Sequence, residues 1–189
     1  MAESFSNKLT RAAGADVVSK TGATVAANTN SLTVTDKSEI YVGQLVDNQH
    51  FIAGTKVTGV DAGSSAPFTI NTDQPSTTSA VAGSQTVNFL GVTTAFTASS
   101  TEKSILIGGT FANNTNNQVS LTVELFDNSN AGTAHSTVAI ASKIPVPAGS
   151  SFVISDVGKT ILEANDEIRI FCDVEKGIDA SLSILTGVS

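Results

Sequence analysis

The chain has 189 residues, of which 40% are hydrophobic, with a formal net charge of −7 and a single cysteine. That is enough apolar material to bury a core in one ordinary domain or two small ones, which excludes a disordered chain, and one cysteine excludes an internal disulfide. An acidic chain without a basic stripe cannot neutralise phosphates, so neither nucleic acid nor an anionic membrane surface is expected as a partner.

The apolar set is mostly Val, Ile, Leu and Ala among abundant Thr, Ser, Asn and Gly, a mixture that favours strands and tight turns. Residues 1–20 read as an N-terminal arm. The start, Met1-Ala-Glu-Ser-Phe-Ser-Asn-Lys-Leu-Thr-Arg, has no apolar core of the signal-peptide type, and no run approaches the length of a membrane span. The expectation is a protein made in the cytoplasm that leaves it within an assembly or by lysis. Phe5 and Leu9 are four apart, which sets them on one helical face, with Lys8 and Arg11 close by and Gly14 placed to stop a short helix. Two readings stand for this segment: a frayed terminus, or a docking arm anchored by Phe5 and Leu9 that orders only on a partner. A separable arm predicts that removing Met1 to Ala13 leaves the β-fold intact.

Residues 21–90 read as a small β-domain. Leu32 and Val34, Ile40 and Val42, Phe68 and Ile70, and Val87 and Phe89 alternate with their neighbours between clusters of Gly, Asn, Asp and Ser. The segments Ile40-Tyr-Val-Gly-Gln-Leu-Val, Ile52-Ala-Gly-Thr-Lys-Val-Thr-Gly-Val and Phe68-Thr-Ile resemble a β-module of phage structural proteins and bacterial surface repeats. Gly43 and Gly54 fall at its turn glycines, where positive φ is needed. Asn71 to Ser84 reads as an exposed loop or as the link to the next domain.

Residues 91–189 read as an antiparallel β-sandwich, jelly-roll-like, of roughly seven or eight short strands. A lead strand is expected at Thr93 to Thr97. Val119, Leu121, Val123 and Leu125 face inward, and Ser120, Thr122 and Glu124 face outward. Asp127-Asn-Ser-Asn-Ala-Gly-Thr is hairpin-loop chemistry. Pro145-Val-Pro-Ala-Gly marks an edge or a strand end, because an interior Pro forfeits a ladder hydrogen bond. Ile168, Ile170, Cys172 and Val174 alternate inward, which makes Cys172 an inert core thiol rather than a nucleophile.

Residues able to carry chemistry are few. His50 and His135 lie in loop-like stretches without a ligand at metal-binding spacing and are expected to be exposed. Glu163-Ala-Asn-Asp-Glu167 has oxygens that could hold calcium, but Asn and Asp between two apolar runs read first as a turn. With no Trp and only Tyr41, the chain lacks the aromatic platforms that sugar binding usually needs. No catalytic residue, cofactor or metal is predicted.

The third region is similar to a group of short virion structural proteins of tailed bacteriophages, particularly aquatic phages, each a single β-sandwich. The matching stretches are Gly109 to Asn114, Val119 to Leu125, Ile144-Pro-Val-Pro-Ala-Gly-Ser-Ser151 and Leu162-Glu-Ala-Asn-Asp-Glu-Ile-Arg-Ile170, together with the start from Ser4 to Gly14. The resemblance implies an all-β, non-enzymatic virion protein with the middle β-domain inserted between arm and sandwich. It implies other virion proteins as partners, in a capsid-decoration, neck, tail or baseplate position, and a homo-oligomer in a symmetric assembly. Phe5, Lys8, Leu9 and Arg11 are its partner-docking residues. The alternative class is an adhesive or receptor-binding module, whose site would be an exposed aromatic or acidic cluster on loops such as Asp47 to Phe51 or Asn113 to Gln118. An enzyme is the third class.

Overall fold

The computed structural model describes residues 3–78, 84–128, 136–155 and 159–188. Among them the regular structure is entirely strand. In chain order the strands are β1 (Ser4–Ala13), β2 (Ala15–Thr24), β3 (Ser31–Val34), β4 (Leu45–Asp47), β5 (Val57–Val60), β6 (Phe68–Thr72), β7 (Ser84–Gly91), β8 (Thr93–Thr97), β9 (Lys103–Asn113), β10 (Val119–Asp127), β11 (Ser136–Val146), β12 (Ser151–Ile154), β13 (Thr160–Leu162), β14 (Glu167–Cys172) and β15 (Ile178–Val188). They form two compact units. One comprises Met1–Gly14 and Thr93–Ser189, and the other is Ala15–Val92, which stands in sequence between the two parts of the first.

The discontinuous unit is a jelly roll. One sheet runs β1-β15-β9-β12, with β13 also on β9, and the other runs β11-β10-β14-β8. Pairing β1 with β15, β8 with β14, β9 with β12 and β13, and β10 with β11 describes one long antiparallel hairpin. Its outgoing arm is β1, β8, β9 and β10, and its return arm is the rest. Wrapping such a hairpin around a barrel axis gives two packed sheets, which is the jelly-roll solution to burying one face of each.

The core follows the alternation in the sequence. On neighbouring strands β10 and β14, Leu121 stands opposite Cys172, Val123 opposite Ile170 and Leu125 opposite Ile168. All of these but Leu125 are buried, and Leu125 packs against the core with Val174 at the margins. The facing sheet supplies Leu106, Phe111, Ile178, Leu182 and Ile184. The outward positions of β10 depart from expectation, because Thr122 and Glu124 are buried too. At Thr122 the cause is local. The β10–β11 register shifts between Leu121 and Val123, Lys143 takes φ +49°, and the Thr122 hydroxyl accepts the freed Lys143 N–H at 3.1 Å. The Pro145 strand is the edge strand β11, and the predicted lead strand is β8. Residues 129–135, which include His135 and most of the expected hairpin loop, lie outside the described residues.

The middle unit is a closed sheet. Its six strands run β4-β7-β2-β3-β6-β5. The two ends meet through a Leu45–Lys56 bridge, with Val46 N–H to Thr55 O at 2.8 Å and Val57 N–H to Gln44 O at 3.0 Å. Among the described residues this seam joins the edge of β4 to the start of β5, which shortens the open edge. Val18, Val25, Leu32, Val34, Phe51, Ile70, Val87 and Phe89 are among the side chains of its core. Gly43 (φ +98°) and Gly54 (φ +94°) make the turns on either side of the closing seam.

Two boundaries of the sequence reading move. The segment 1–20 is not one arm: Ser4–Ala13 belongs to the jelly roll, and β2 from Ala15 onward belongs to the closed sheet. Asn71 to Ser84 is not the link between units, since β7 returns to the closed sheet and pairs with β2 and β4. Within that stretch Ser76 is buried, its hydroxyl accepting Thr29 N–H and donating to Ala26 O, and Thr77 N–H bonds His50 O at 2.8 Å.

Candidate functional site

The four residues expected to dock, Phe5, Lys8, Leu9 and Arg11, all lie on β1. The segment is a strand rather than a helix because β15 offers it a complete ladder. Register is continuous from Ser4 opposite Thr186 to Thr10 opposite Ala180. A lone ten-residue helix is marginal in water, so the ladder wins. Gly14, placed to end a helix, instead ends the strand at φ +104°.

Pairing sets the faces of β1. Ser6, Lys8 and Thr10 stand opposite Ile184, Leu182 and Ala180, all buried, and so take the inner side. Phe5, Asn7 and Leu9 take the outer side, where Phe5 is 61% and Leu9 78% exposed. Following the register across the sheet, Phe5 opposes Leu185, Leu185 opposes Ile105, and Ile105 opposes Ile161. This makes an apolar row across four strands on the solvent side, ending at Ile161, which is 58% exposed. A second row runs Leu9, Ser181, Thr110 and Val153, apolar at its ends and polar between them. Ser183 joins the rows, donating its hydroxyl to Asn7 Oδ1 at 3.2 Å. Lys8 and Arg11 are exposed and have no ion-pair partner among the described residues, whereas Lys103, Arg169 and Lys176 are paired with Glu163, Glu167 and Glu175.

The remaining candidates are committed to structure. Cys172 is fully buried, and burial, the largest cause, pushes its thiol up to about 11, which leaves almost no thiolate near neutrality. Glu163 to Asp166 is a tight turn with Asn165 at φ +67°. The buried Asp166 carboxylate accepts Glu163 N–H at 2.9 Å and Asn128 N–H at 3.0 Å, so it holds the turn. Among the described residues no group of three His, Cys, Asp or Glu converges as a metal site. His50, expected to be exposed, is buried. Asn48 Oδ1 caps the His50 N–H at 2.8 Å, and the turn so formed carries Phe51 into the core of the closed sheet. The Asp47 to Phe51 loop therefore presents no exposed aromatic. In the Asn113 to Gln118 loop, Asn113 is buried and bonds Asn117 O and Val146 O. That leaves neutral amides at the surface, with neither an aromatic nor an acidic group.

The sequence reading missed Ile105, Ile161 and Leu185. Each sits in an apolar run whose register with its neighbours is unknown until the sheet is built, and register alone decides which face each takes. Comparison with family models, with curated proteins and with solved structures finds no match to this chain.

Proposed function

We propose that this chain is a non-enzymatic structural component of a tailed-bacteriophage virion. In this reading it is an accessory protein that docks on other virion proteins through the outer face of the sheet that begins at β1. The observation that carries the reading is the row Phe5, Leu185, Ile105 and Ile161 on the solvent side of that sheet. Scattered apolar side chains on a surface need no explanation, but a row aligned by register across four strands fits a surface that another protein covers.

The sequence motifs support the same reading and now have positions. Ile144 to Ser151 makes the turn from the edge strand β11 into β12, and Leu162 to Ile170 makes the turn from β13 into β14. Jelly rolls serve viral capsids, lectins and cupins alike, so the fold alone does not select the function. Anchors on a paired strand also differ from anchors on a free arm. They are ordered before the partner arrives, so docking costs little conformational entropy.

The test uses the particles made by the genome that encodes the chain. Ile105→Asp combined with Ile161→Asp places two charges on the outer face and leaves the core untouched. The doubly substituted protein should keep its cooperative melt and be missing from purified particles. Incorporation at the normal copy number would remove this face from the docking role. Absence of the unmodified chain from purified particles would remove the virion reading itself.

A further inference from the structure

We propose that two copies of the chain join edge to edge through β1, antiparallel about a two-fold axis, so that the sheet continues from one copy into the next. This deepens the docking reading by naming a second copy as the occupant of one surface, and it rests on that reading only in taking β1 as an interface strand. β1 ends its sheet and, among the described residues, pairs only with β15. Between Ser4, whose carbonyl accepts the Thr186 hydroxyl, and Thr10, whose hydroxyl donates to Ala95 O of β8, the backbone groups of alternate residues that turn away from β15 are a template for another strand. The edge is also straight, since its register with β15 is unbroken from Ser4 to Thr10. The edge strands of the other sheet differ: β11 carries two register shifts, Lys143 at positive φ and Pro145, and the five-residue β8 carries a register shift against β14. Those are the features that blunt an edge against further pairing.

The sequence of β1 with its preceding residue is self-complementary when reversed about Asn7. In that register Phe5 faces Leu9 of the second copy, and Glu3 faces Arg11 of the second copy. Both contacts occur twice because a two-fold interface repeats every pair. Aromatic–aliphatic and opposite-charge pairs are favourable cross-strand neighbours. Lys8 lies opposite Ser6 of the second copy, so the cation meets no like charge. Slipping by two residues in one direction would set Lys8 against Lys8 of the second copy, and in the other would trade the Phe5–Leu9 pair for Phe5–Asn7. The Asn7-centred register alone satisfies the charges and the apolar pair together. The net charge of −7 repels two copies at long range, but β1 offers Lys8 and Arg11, unpaired among the described residues, against the single acid Glu3.

Charge reversal and its rescue test the pairing in the full chain, by sedimentation equilibrium at low ionic strength. The unmodified protein should be a reversible dimer. Glu3→Arg alone and Arg11→Glu alone each place like charges opposite one another twice, and each should weaken the dimer about tenfold or more. The two substitutions together restore opposite pairs and should return the dissociation constant close to its original value. High salt should shrink all of these differences. Both residues are exposed, so thermal melts of the variants should match the parent. A protein monomeric at every accessible concentration, or a dimer unmoved by either single reversal, would overturn the proposal. A monomer that still enters particles sinks the edge pairing and leaves the virion reading. Rescue by the double variant in a protein absent from particles does the opposite.

Discussion

At the scale of single residues, Gly14 combines a positive φ with a crowded site. It sits where β1 leaves the jelly roll, at φ +104°, with its carbonyl accepting Lys176 N–H at 2.8 Å and its N–H donating to the Thr93 hydroxyl at 3.1 Å. A Cβ built there would lie 2.8 Å from Cys172 Cβ and 2.8 Å from the Val174 carbonyl oxygen. One neighbour is a core side chain held at its root and the other is backbone, so neither can swing away. Gly14→Ala therefore combines a disfavoured backbone conformation with overpacking, and should cost about 2–4 kcal/mol in a urea melt. A loss below about 0.5 kcal/mol would mean that the segment from Ala12 to Asp16 relaxes freely. By contrast, the surface-facing Gly43 and Gly54 have open space around them, so there only the turn's positive φ argues for glycine.

At the scale of elements, β1 separates what the sequence reveals from what it hides. Strands such as Val119 to Leu125 were legible because each second residue is apolar and the intervening ones are polar, a pattern with a period of two that no helix shares. The turn at Asn165 and the turn glycines were legible because few residues accept positive φ. For β1, a spacing of four between Phe5 and Leu9 sets them on one face of a helix and equally on one face of a strand. The deciding partner, Leu185 for Phe5, lies at the other end of the chain, beyond any local window. The burial of His50 and Glu124 was hidden for the same reason, since tertiary cover leaves no local signature. The consequence is a reversal of the expectation for a separable arm. Deleting Met1 to Ala13 strips the outermost strand from its sheet, exposes the edge of β15 and removes the buried Ala13. The truncated protein should melt well below the parent or aggregate, whereas a free arm would leave the melt unchanged. An unaltered melting temperature by circular dichroism would restore the arm reading and dissociate β1 from the fold.

At the scale of the whole molecule, the plan is a jelly roll whose first connection has been opened to carry a second folded unit. The geometry of the two junctions explains why this is tolerated. Gly14 and Thr93, where the chain leaves and re-enters the jelly roll, are hydrogen-bonded to each other at 3.1 Å. Ala15 and Gly91, at the two ends of the middle unit, face each other across the β2–β7 ladder. Each unit thus has its own junction ends side by side, its own core and its own complete set of strand pairings, the conditions under which domain insertion preserves both folds. The middle unit is also small, but the seam between β4 and the start of β5 ties its two edge strands together. Replacing Ala15 to Val92 by a short Gly/Ser bridge should therefore leave a jelly roll that melts cooperatively, and residues 15–92 expressed alone should fold as well. Cys172 gives the first half of the test a built-in probe. It is the chain's only cysteine, it lies in the jelly-roll core, and burial holds its thiol near 11 against an ordinary 9.0. A group whose folded pKa is raised adds stability that is complete below its unfolded pKa. That stability is lost as pH rises through the window from about 9 to about 11. At pH 8 the excised jelly roll should therefore resist a thiol reagent until denaturant is added, as the parent should. Rapid labelling of the excised protein under native conditions would show that its core does not close without the middle unit, and the two units would then have to be counted as one cooperative fold.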